Sequence, residues 1–249
     1  MSSSDLWSET DALQYDQASA FMFQPDVLVP AVDLLAELAA AGPALEFAIG
    51  TGRVAIPLAE RGVRVAGIDL SPSMIEELHR KVDPTRIPAS VGDMATTRVE
   101  GQFTLVFVVW NSIGNVRTQD EQARVFANAA AHLAPGGRFL VELGIPPIRR
   151  LPPGQSAAPF HVGRNHTGFD TYDLVTQQGT SHHYWRSDDD TVTYRTSNFR
   201  YLWPSECDLM ARLAGMERES RWVDFRKNPF TGDSEAHVSV WRKPGAGPS

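Results

Sequence analysis

Apolar positions along the chain follow three successive patterns. Near the N-terminus they recur at helical spacing, which predicts helices over residues 11–22 and 26–41. The second carries Val27, Leu34, Leu35 and Leu38 on one stripe, with Pro30 close to its start. From residue 44, short continuous apolar runs alternate with helical stretches. Ala44–Ala48, Val63–Asp69, Ile87–Val91, Phe103–Val109 and Arg138–Leu143 predict strands. Gly52–Arg61, Pro72–Val82 and Gln119–Leu133 predict helices, with Ser71 as an N-cap and Pro135-Gly136-Gly137 as a stop. The run FTLVFVV at 103–109 is apolar almost throughout, as expected of a strand covered on both faces. Strands alternating with helices imply a parallel sheet with right-handed crossovers.

The third pattern begins after Gly144. Pro146, Pro147, Pro152, Pro153 and Pro159 break regular structure over residues 145–159. Two strand-like stretches follow, 169–186 and 191–202, joined by a turn at Ser187-Asp188-Asp189-Asp190. Pro204–Leu213 reads as a helix with Gly215 as its C-cap, and strands near 218–225 and 236–242 close the chain. The organisation expected is a core over 11–144, a proline-rich linker and antiparallel β region over 145–203, and a segment over 204–243 that completes the core sheet. Residues 1–10 and Pro244–Ser249 read as disordered ends. No internal repeat is present.

Composition narrows the partners. The 249 residues are 42% hydrophobic and 21% charged, an ordinary globular balance. A formal net charge of -7 and no basic run longer than Arg149-Arg150 argue against nucleic acid and anionic membranes. Cys207 is the single cysteine, so no internal disulfide can form. The opening lacks a basic and apolar start, and no apolar stretch is long enough to span a bilayer, so a cytoplasmic location is the default expectation. The histidines lack ligand spacing, and no metal site is expected.

The densest chemistry lies in Glu46-Phe47-Ala48-Ile49-Gly50-Thr51-Gly52-Arg53. A strand ends beside an acidic residue, and two glycines turn the chain into a helix. Glycines there admit positive φ and let a ligand press against the backbone. Gly50-x-Gly52-x-x-Ala55 formally satisfies a dinucleotide fingerprint. Glu46, however, would repel a pyrophosphate and welcome a cation. S-adenosyl-L-methionine carries a sulfonium and an ammonium and no phosphate. Asp69 ends the second strand, where a carboxylate can accept from both ribose hydroxyls. Asp93 follows the third strand, where it can take the adenine amino group, with Met94 and Leu70 against the ring face. Arg53 reads as an ion-pair partner for an acid of the N-terminal helices, and Met74 and Ile75 read as core.

The segments LEFAIGTG, VAGIDLSPSMI, SVGDMAT, TLVFVVWNSIGN and HLAPGGRFLVEL stand in the order found in class I S-adenosylmethionine-dependent methyltransferases, and the chain resembles that family over roughly residues 30–144. WNSIGN and the strand-rich region after it resemble the small-molecule branch, which includes the deoxyaminosugar N-methyltransferases. The resemblance implies an α/β fold: a Rossmann-like, doubly wound, mostly parallel sheet with N-terminal helices and an added antiparallel β region over the active site. It implies S-adenosyl-L-methionine as methyl donor, leaving S-adenosyl-L-homocysteine. It places Glu46, Ala48, Gly50 and Gly52 at the methionine part, Asp69 at the ribose, and Asp93 and Met94 at the adenine. Val109, Trp110 and Asn111 fall near the methyl donor, and Tyr15 falls on a helix that closes over it. Ala48 departs from the family, which has glycine there.

Methyl transfer from a sulfonium asks for alignment and water exclusion more than for acid–base help. An amine acceptor must only lose its ammonium proton, whereas a hydroxyl benefits from a base. His182 and His183 are the candidate bases. They face opposite sides of a strand, so at most one points into a pocket, and both also read as ordinary surface or core histidines. Asn111 reads either as an acceptor-orienting residue or as a cap. The aromatics of 160–203 fit the core of an added sheet, an apolar acceptor pocket, or the surface of a homodimer. This segment is expected to sit over the carboxyl edge of the sheet as a lid. The function expected is methyl transfer to N or O of a small, specialised metabolite. The alternatives are a peptide or protein methyltransferase, a non-catalytic S-adenosylmethionine-binding subunit, and a dehydrogenase, which Glu46 disfavours. Trp110-Asn111-Ser112-Ile113 stands where nucleic-acid amino methyltransferases carry Asn/Asp-Pro-Pro-aromatic.

Overall fold

A computed structural model describes residues 2–245. The central sheet is built from β1 (Ala44–Phe47), β2 (Val65–Asp69), β3 (Ala89–Val91), β4 (Phe103–Val108) and β5 (Leu133–Gly144). These five run parallel in the order β3-β2-β1-β4-β5. The last two strands of the chain, at Glu217–Trp222 and Ala236–Arg242, extend it antiparallel beyond β5. Alternate residues feed two cores. Val106, Val108, Phe139 and Val141 face one side with Phe126 and Trp241, while Leu105, Phe107 and Leu140 face the other with Leu35, Leu58 and Leu78. Both faces are therefore covered, which is why β4 shows no clean polar alternation.

The covering helices are α1 (Glu9–Ala18), α2 (Pro25–Ala39), α3 (Ala55–Glu60), α4 (Pro72–Lys81), α5 (Gln119–His132) and α6 (Pro204–Leu213). Ser71 caps α4 by accepting from Met74 N–H, and Gly215 ends α6 at φ 75°. Pro30 sits in the interior of α2, whose first helical residue is Pro25, not at its start as expected. A proline there leaves the carbonyl four residues back without a donor. Asp26 O instead accepts from Arg226 at 2.8 Å.

Two further expectations give way to tertiary contacts. Pro135-Gly136-Gly137 does end α5, but the residues at Leu133 and Arg138 both pair with β4, so the three loop out of a strand that starts five residues early. Residues 2–8 are tied down: Ser3 bonds Glu121, Asp5 pairs with Arg117 at 3.2 Å, and Trp7 O accepts from Ser71 at 3.0 Å. Those partners lie far along the chain, which local composition cannot reveal. Of the tail expected to be disordered, residues 246–249 lie outside the described residues.

The region after Gly144 forms a separate antiparallel sheet of four strands, β6 (Ala157–Val162), β7 (His166–Tyr172), β8 (Gln178–Arg186) and β9 (Val192–Arg200). The stretch 169–186 is thus two strands, turned at residues 173–177 where Gln177 has φ 59°. A strand also occupies part of the proline-rich segment, because β6 is an edge strand and Pro159 needs no ladder partner on its outer side. The turn at 187–190 is present, with Asp190 at φ 63°. Arg200, buried at the end of β9, fastens this sheet to the core by donating to Gln177 and Glu206 at 2.6 and 3.1 Å and to Gln122 of α5 at 2.5 Å.

Candidate active site

The order of the parallel strands reverses between β1 and β4. In such sheets the crevice outside the carboxyl ends of the strands at that point receives ligands. Here a cavity of about 530 Å³ opens there, with the four-stranded sheet and residues 2–7 over it. Tyr15, Ala48, Gly50, Asp69, Leu70, Asp93, Met94, Trp110 and Asn111 all line it. Glu46, Gly52 and Val109 do not; they lie beneath or beside its wall.

Glu46 is buried under the loop. Burial pushes its carboxyl up to about 8, against the opposing pull of Arg53 and with the help of Asp69. Its Oε2 has no hydrogen-bond partner among the described residues. A buried acid in that state lacks the partner that such groups ordinarily have. Asp69 accepts from Gly50 N–H at 2.7 Å and from Ser71 N–H at 2.9 Å, one bond to each oxygen. Burial raises its carboxyl, and those two bonds oppose the rise. Each oxygen keeps lone-pair capacity for a ribose hydroxyl. Gly50 has φ 55°, and space is open where its Cβ would be, so backbone faces the cavity bare. Gly52, at φ 85°, is held to glycine by its backbone conformation, and its Cβ position points at Leu78 rather than at the cavity. Ala48 holds φ 56°, a left-handed conformation that the family's glycine adopts without strain. Asp93 Oδ1 accepts from Ala95 N–H at 2.8 Å, which fixes the turn that presents Met94. The orphan acid, the bare loop and the carboxylate on β2 fit a cationic adenosyl ligand and suit a pyrophosphate poorly.

Two successive left-handed residues follow β4, Trp110 at φ 58° and Asn111 at φ 56°. Glu142 on β5 accepts from Trp110 N–H at 2.5 Å, and Asn111 Oδ1 accepts from Gly144 N–H at 2.5 Å. Asn111 therefore ties β4 to β5 and does not cap the short helical turn Ser112–Asn115. Trp110 stands under Phe21 and beside Arg53, whose guanidinium lies 5.6 Å from the ring centre. The Arg53 charge lies near the Tyr15 hydroxyl and opposes the rise of that phenol, which burial chiefly causes. Among the described residues Arg53 forms no ion pair with an acid of the N-terminal helices, contrary to the expectation; it sits beside Trp110. Met74 and Ile75 are core, although Met74 reaches the cavity wall.

Neither His182 nor His183 lines the cavity. On β8, Ser181 and His183 share a face and His182 takes the other. Ser181 occupies the cavity wall. His183 lies further out, 3.0 Å from His166, with its ring near-parallel to those of His166 and Trp185 at 5.2 and 4.9 Å. Burial and then His166 hold its imidazole below the usual value. His182 packs on Phe169 and bonds Tyr194 and Thr171. In their place the lid presents Asp170, Tyr172, Ser181, Ser197 and Asn198. The aromatics divide among the readings offered for them: Tyr172 and Tyr201 are buried, Phe199 lines the cavity, and Phe160, Tyr184, Trp185 and Tyr194 are exposed. Alternation along Gly168-Phe169-Asp170-Thr171-Tyr172 places Asp170 on the face of Tyr172. Only the packing of the lid says which face that is. Among the described residues no group of three or more His, Cys, Asp or Glu side chains could hold a metal ion, and no helix is long and apolar enough to cross a membrane.

Fold and cleft together define a doubly wound α/β protein with its ligand site at the strand-order reversal. Comparison with known proteins specifies it further. Residues 44–137 match the family described as "Methyltransferase domain". The solved CcbJ methyltransferase of Streptomyces caelestis is 31% identical, with a TM-score of 0.83 over 96% of this chain and 100% of that one. The cypemycin N-terminal methyltransferase of a Streptomyces species is 26% identical over 96% of this chain and 98% of its own length. The dTDP-4-amino-2,3,4,6-tetradeoxy-D-glucose N,N-dimethyltransferase of Saccharopolyspora spinosa is 33% identical over 39% of each chain. The chain belongs to the S-adenosylmethionine-dependent methyltransferases.

Proposed function

We propose that this enzyme methylates an amine nitrogen of a small, specialised metabolite enclosed between the β4 tip and the four-stranded lid. One observation carries the preference for nitrogen over oxygen: among the described residues no histidine lines the cavity. Tyr172, the phenol on the lid wall, is held protonated by burial and then by Asp170, so it is no base either. The carboxylate there, Asp170, already accepts from the Tyr172 and Ser181 hydroxyls, and a carboxylate is a weaker base than imidazole. A hydroxyl acceptor would want such a base, whereas an amine sheds its ammonium proton to water before transfer. The names of the relatives, an N-terminal methyltransferase and an N,N-dimethyltransferase, agree with nitrogen. A lid over the cavity favours a small acceptor over a protein surface.

When bound, S-adenosylmethionine supplies a methyl group on a sulfonium that departs as a neutral thioether. Glu46 would balance its positive charge through the loop, and the Ala48–Gly52 backbone would cradle the methionine part. Asp69 would hold the ribose, and Asp93, Met94 and Leu70 the adenine. Trp110 and Asn111, fixed by Glu142 and Gly144, would form the floor beside the methyl group, with Tyr15 and Trp7 excluding water from above. The exposed aromatics Tyr184, Trp185 and Tyr194 support a homodimer joined through the lid sheet, and sedimentation as a monomer would remove that reading.

The test is turnover. The protein is incubated with methyl-labelled S-adenosylmethionine and small-molecule extracts of actinomycete cultures, and labelled products are identified by mass spectrometry. Label on a nitrogen is expected. Label only on oxygen, or only on protein, would overturn the reading.

A further inference from the structure

The lid half of the cavity contains one carboxylate that neither the donor nor the fold accounts for. Asp170 lies on β7 directly opposite Ser181 of β8, and both face the cavity. Its Oδ1 accepts from the Ser181 hydroxyl at 2.6 Å and its Oδ2 from the Tyr172 hydroxyl at 3.0 Å. The other charged groups of the wall are already matched. Asp5 pairs with Arg117, Arg200 pairs with Glu206, and Asp69 and Asp93 accept from backbone N–H groups at the donor end. Asp170 has no cationic partner within salt-bridge distance among the described residues.

The two hydroxyl bonds set what this carboxylate can do. They use one lone-pair site on each oxygen and hold the carboxylate plane, leaving the remaining sites directed away from Ser181 and Tyr172. A carboxylate only accepts, so it is complementary to a group that donates several N–H bonds and carries positive charge. An alcohol of the same shape offers one weaker, neutral donor.

We infer that Asp170 is the acceptor-recognition group of this enzyme: its carboxylate, braced by Ser181 and Tyr172 on the lid, takes the amino group of the acceptor and selects amines over the equivalent alcohols. The inference rests on the proposed function, in that the acceptor occupies the lid half of the cavity. Asp170 thereby sets specificity and orientation: the bound ammonium releases one proton to water, the freed lone pair forms the N–CH3 bond as the S–CH3 bond of the donor breaks, and Asp170 keeps a remaining N–H bond.

The experiment uses a matched pair of probes, benzylamine and benzyl alcohol, with the full-length protein saturated in S-adenosylhomocysteine. Affinities are measured by calorimetry or by ligand-observed NMR. The wild type should bind the amine roughly tenfold or more tighter than the alcohol, the scale of one charge-assisted hydrogen bond. Asp170→Asn keeps the shape and presents N–H donors to the amine, so it should erase that ratio while S-adenosylhomocysteine affinity stays as it was. Ser181→Ala keeps the charge but frees it to swing, and should lower the ratio by a smaller factor. A ratio near one in the wild type, or a ratio left intact by both variants, overturns the inference alone. A wild type that does not bind S-adenosylhomocysteine overturns the proposed function, and this inference with it.

Discussion

Glu46 shows how one buried side chain links stability to pH. Its ordinary value is 4.5, and burial in the fold pushes it up to about 8. A carboxyl raised by folding takes up a proton as the chain folds. Its contribution is fully present below about 4.5, declines as pH rises through the window up to about 8, and is gone above that. Glu46→Gln should therefore flatten the fall in melting temperature of the ligand-free protein across that window, when its melts are compared with wild type. A slope identical in the two proteins would mean that Glu46 is already ionised at neutral pH. The acid at the end of β1 was legible in the sequence. Its burial and its unpartnered oxygen were not, because both depend on Phe47, Arg53 and the start of α3 closing around it. Ala48 tells the same story: its departure from glycine was readable, but the positive φ that makes it a strained residue appears only in the folded loop.

Elements that repeat a local pattern were read well, and elements that depend on pairing were not. Ser71 capping α4 and Gly215 ending α6 are local chemistry, so they appear as expected. The hairpin between β7 and β8 was read as one stretch because Asp173-Leu174-Val175-Thr176-Gln177 lacks both glycine and proline. The positive φ is instead carried by Gln177, whose side chain bonds Tyr201 O and Glu206. That same cluster holds the lid. Removing the buried guanidinium in Arg200→Met would leave Glu206 half-buried without its partner and should destabilise the protein by about 3 kcal/mol. Chemical denaturation would measure it. Limited proteolysis should then cut first within residues 173–177 or 187–191. Loss of stability below about 0.5 kcal/mol would mean that the lid is held by its apolar contacts alone.

For the molecule as a whole, donor binding is the decisive property, and it has a direct readout. A ligand that binds only the native state raises stability by about 2.7 kcal/mol at a hundred times its dissociation constant. S-adenosylmethionine and S-adenosylhomocysteine should raise the melting temperature, by roughly 5–10 °C for a chain of this size, while NAD and NADP leave it unchanged. Stabilisation by NAD alone would contradict the donor site. Asp69→Asn should reduce the shift given by both adenosyl ligands, since the amide loses one acceptor and sets a donor against Gly50 N–H.

The sequence by itself determined the parallel sheet, its order of elements, and the donor: these rest on periodicity and on residues within a few positions of a turn. Glu46, Gly50, Asp69 and Asp93 each stand at a strand end, and strand ends of one parallel sheet necessarily converge. Tertiary structure alone decided the lid side of the cavity. Which face of β7 and β8 meets the cavity depends on how the lid docks through Arg200 and the strap of residues 2–7, contacts spanning nearly the whole chain. A strand has two faces related by a single residue step, so period-two alternation groups Asp170 with Tyr172, and His183 with Ser181, without saying which pair of rows looks inward. Docking turned inward the face that carries Asp170 and Ser181, and His183 on that same face fell beyond the cavity's edge.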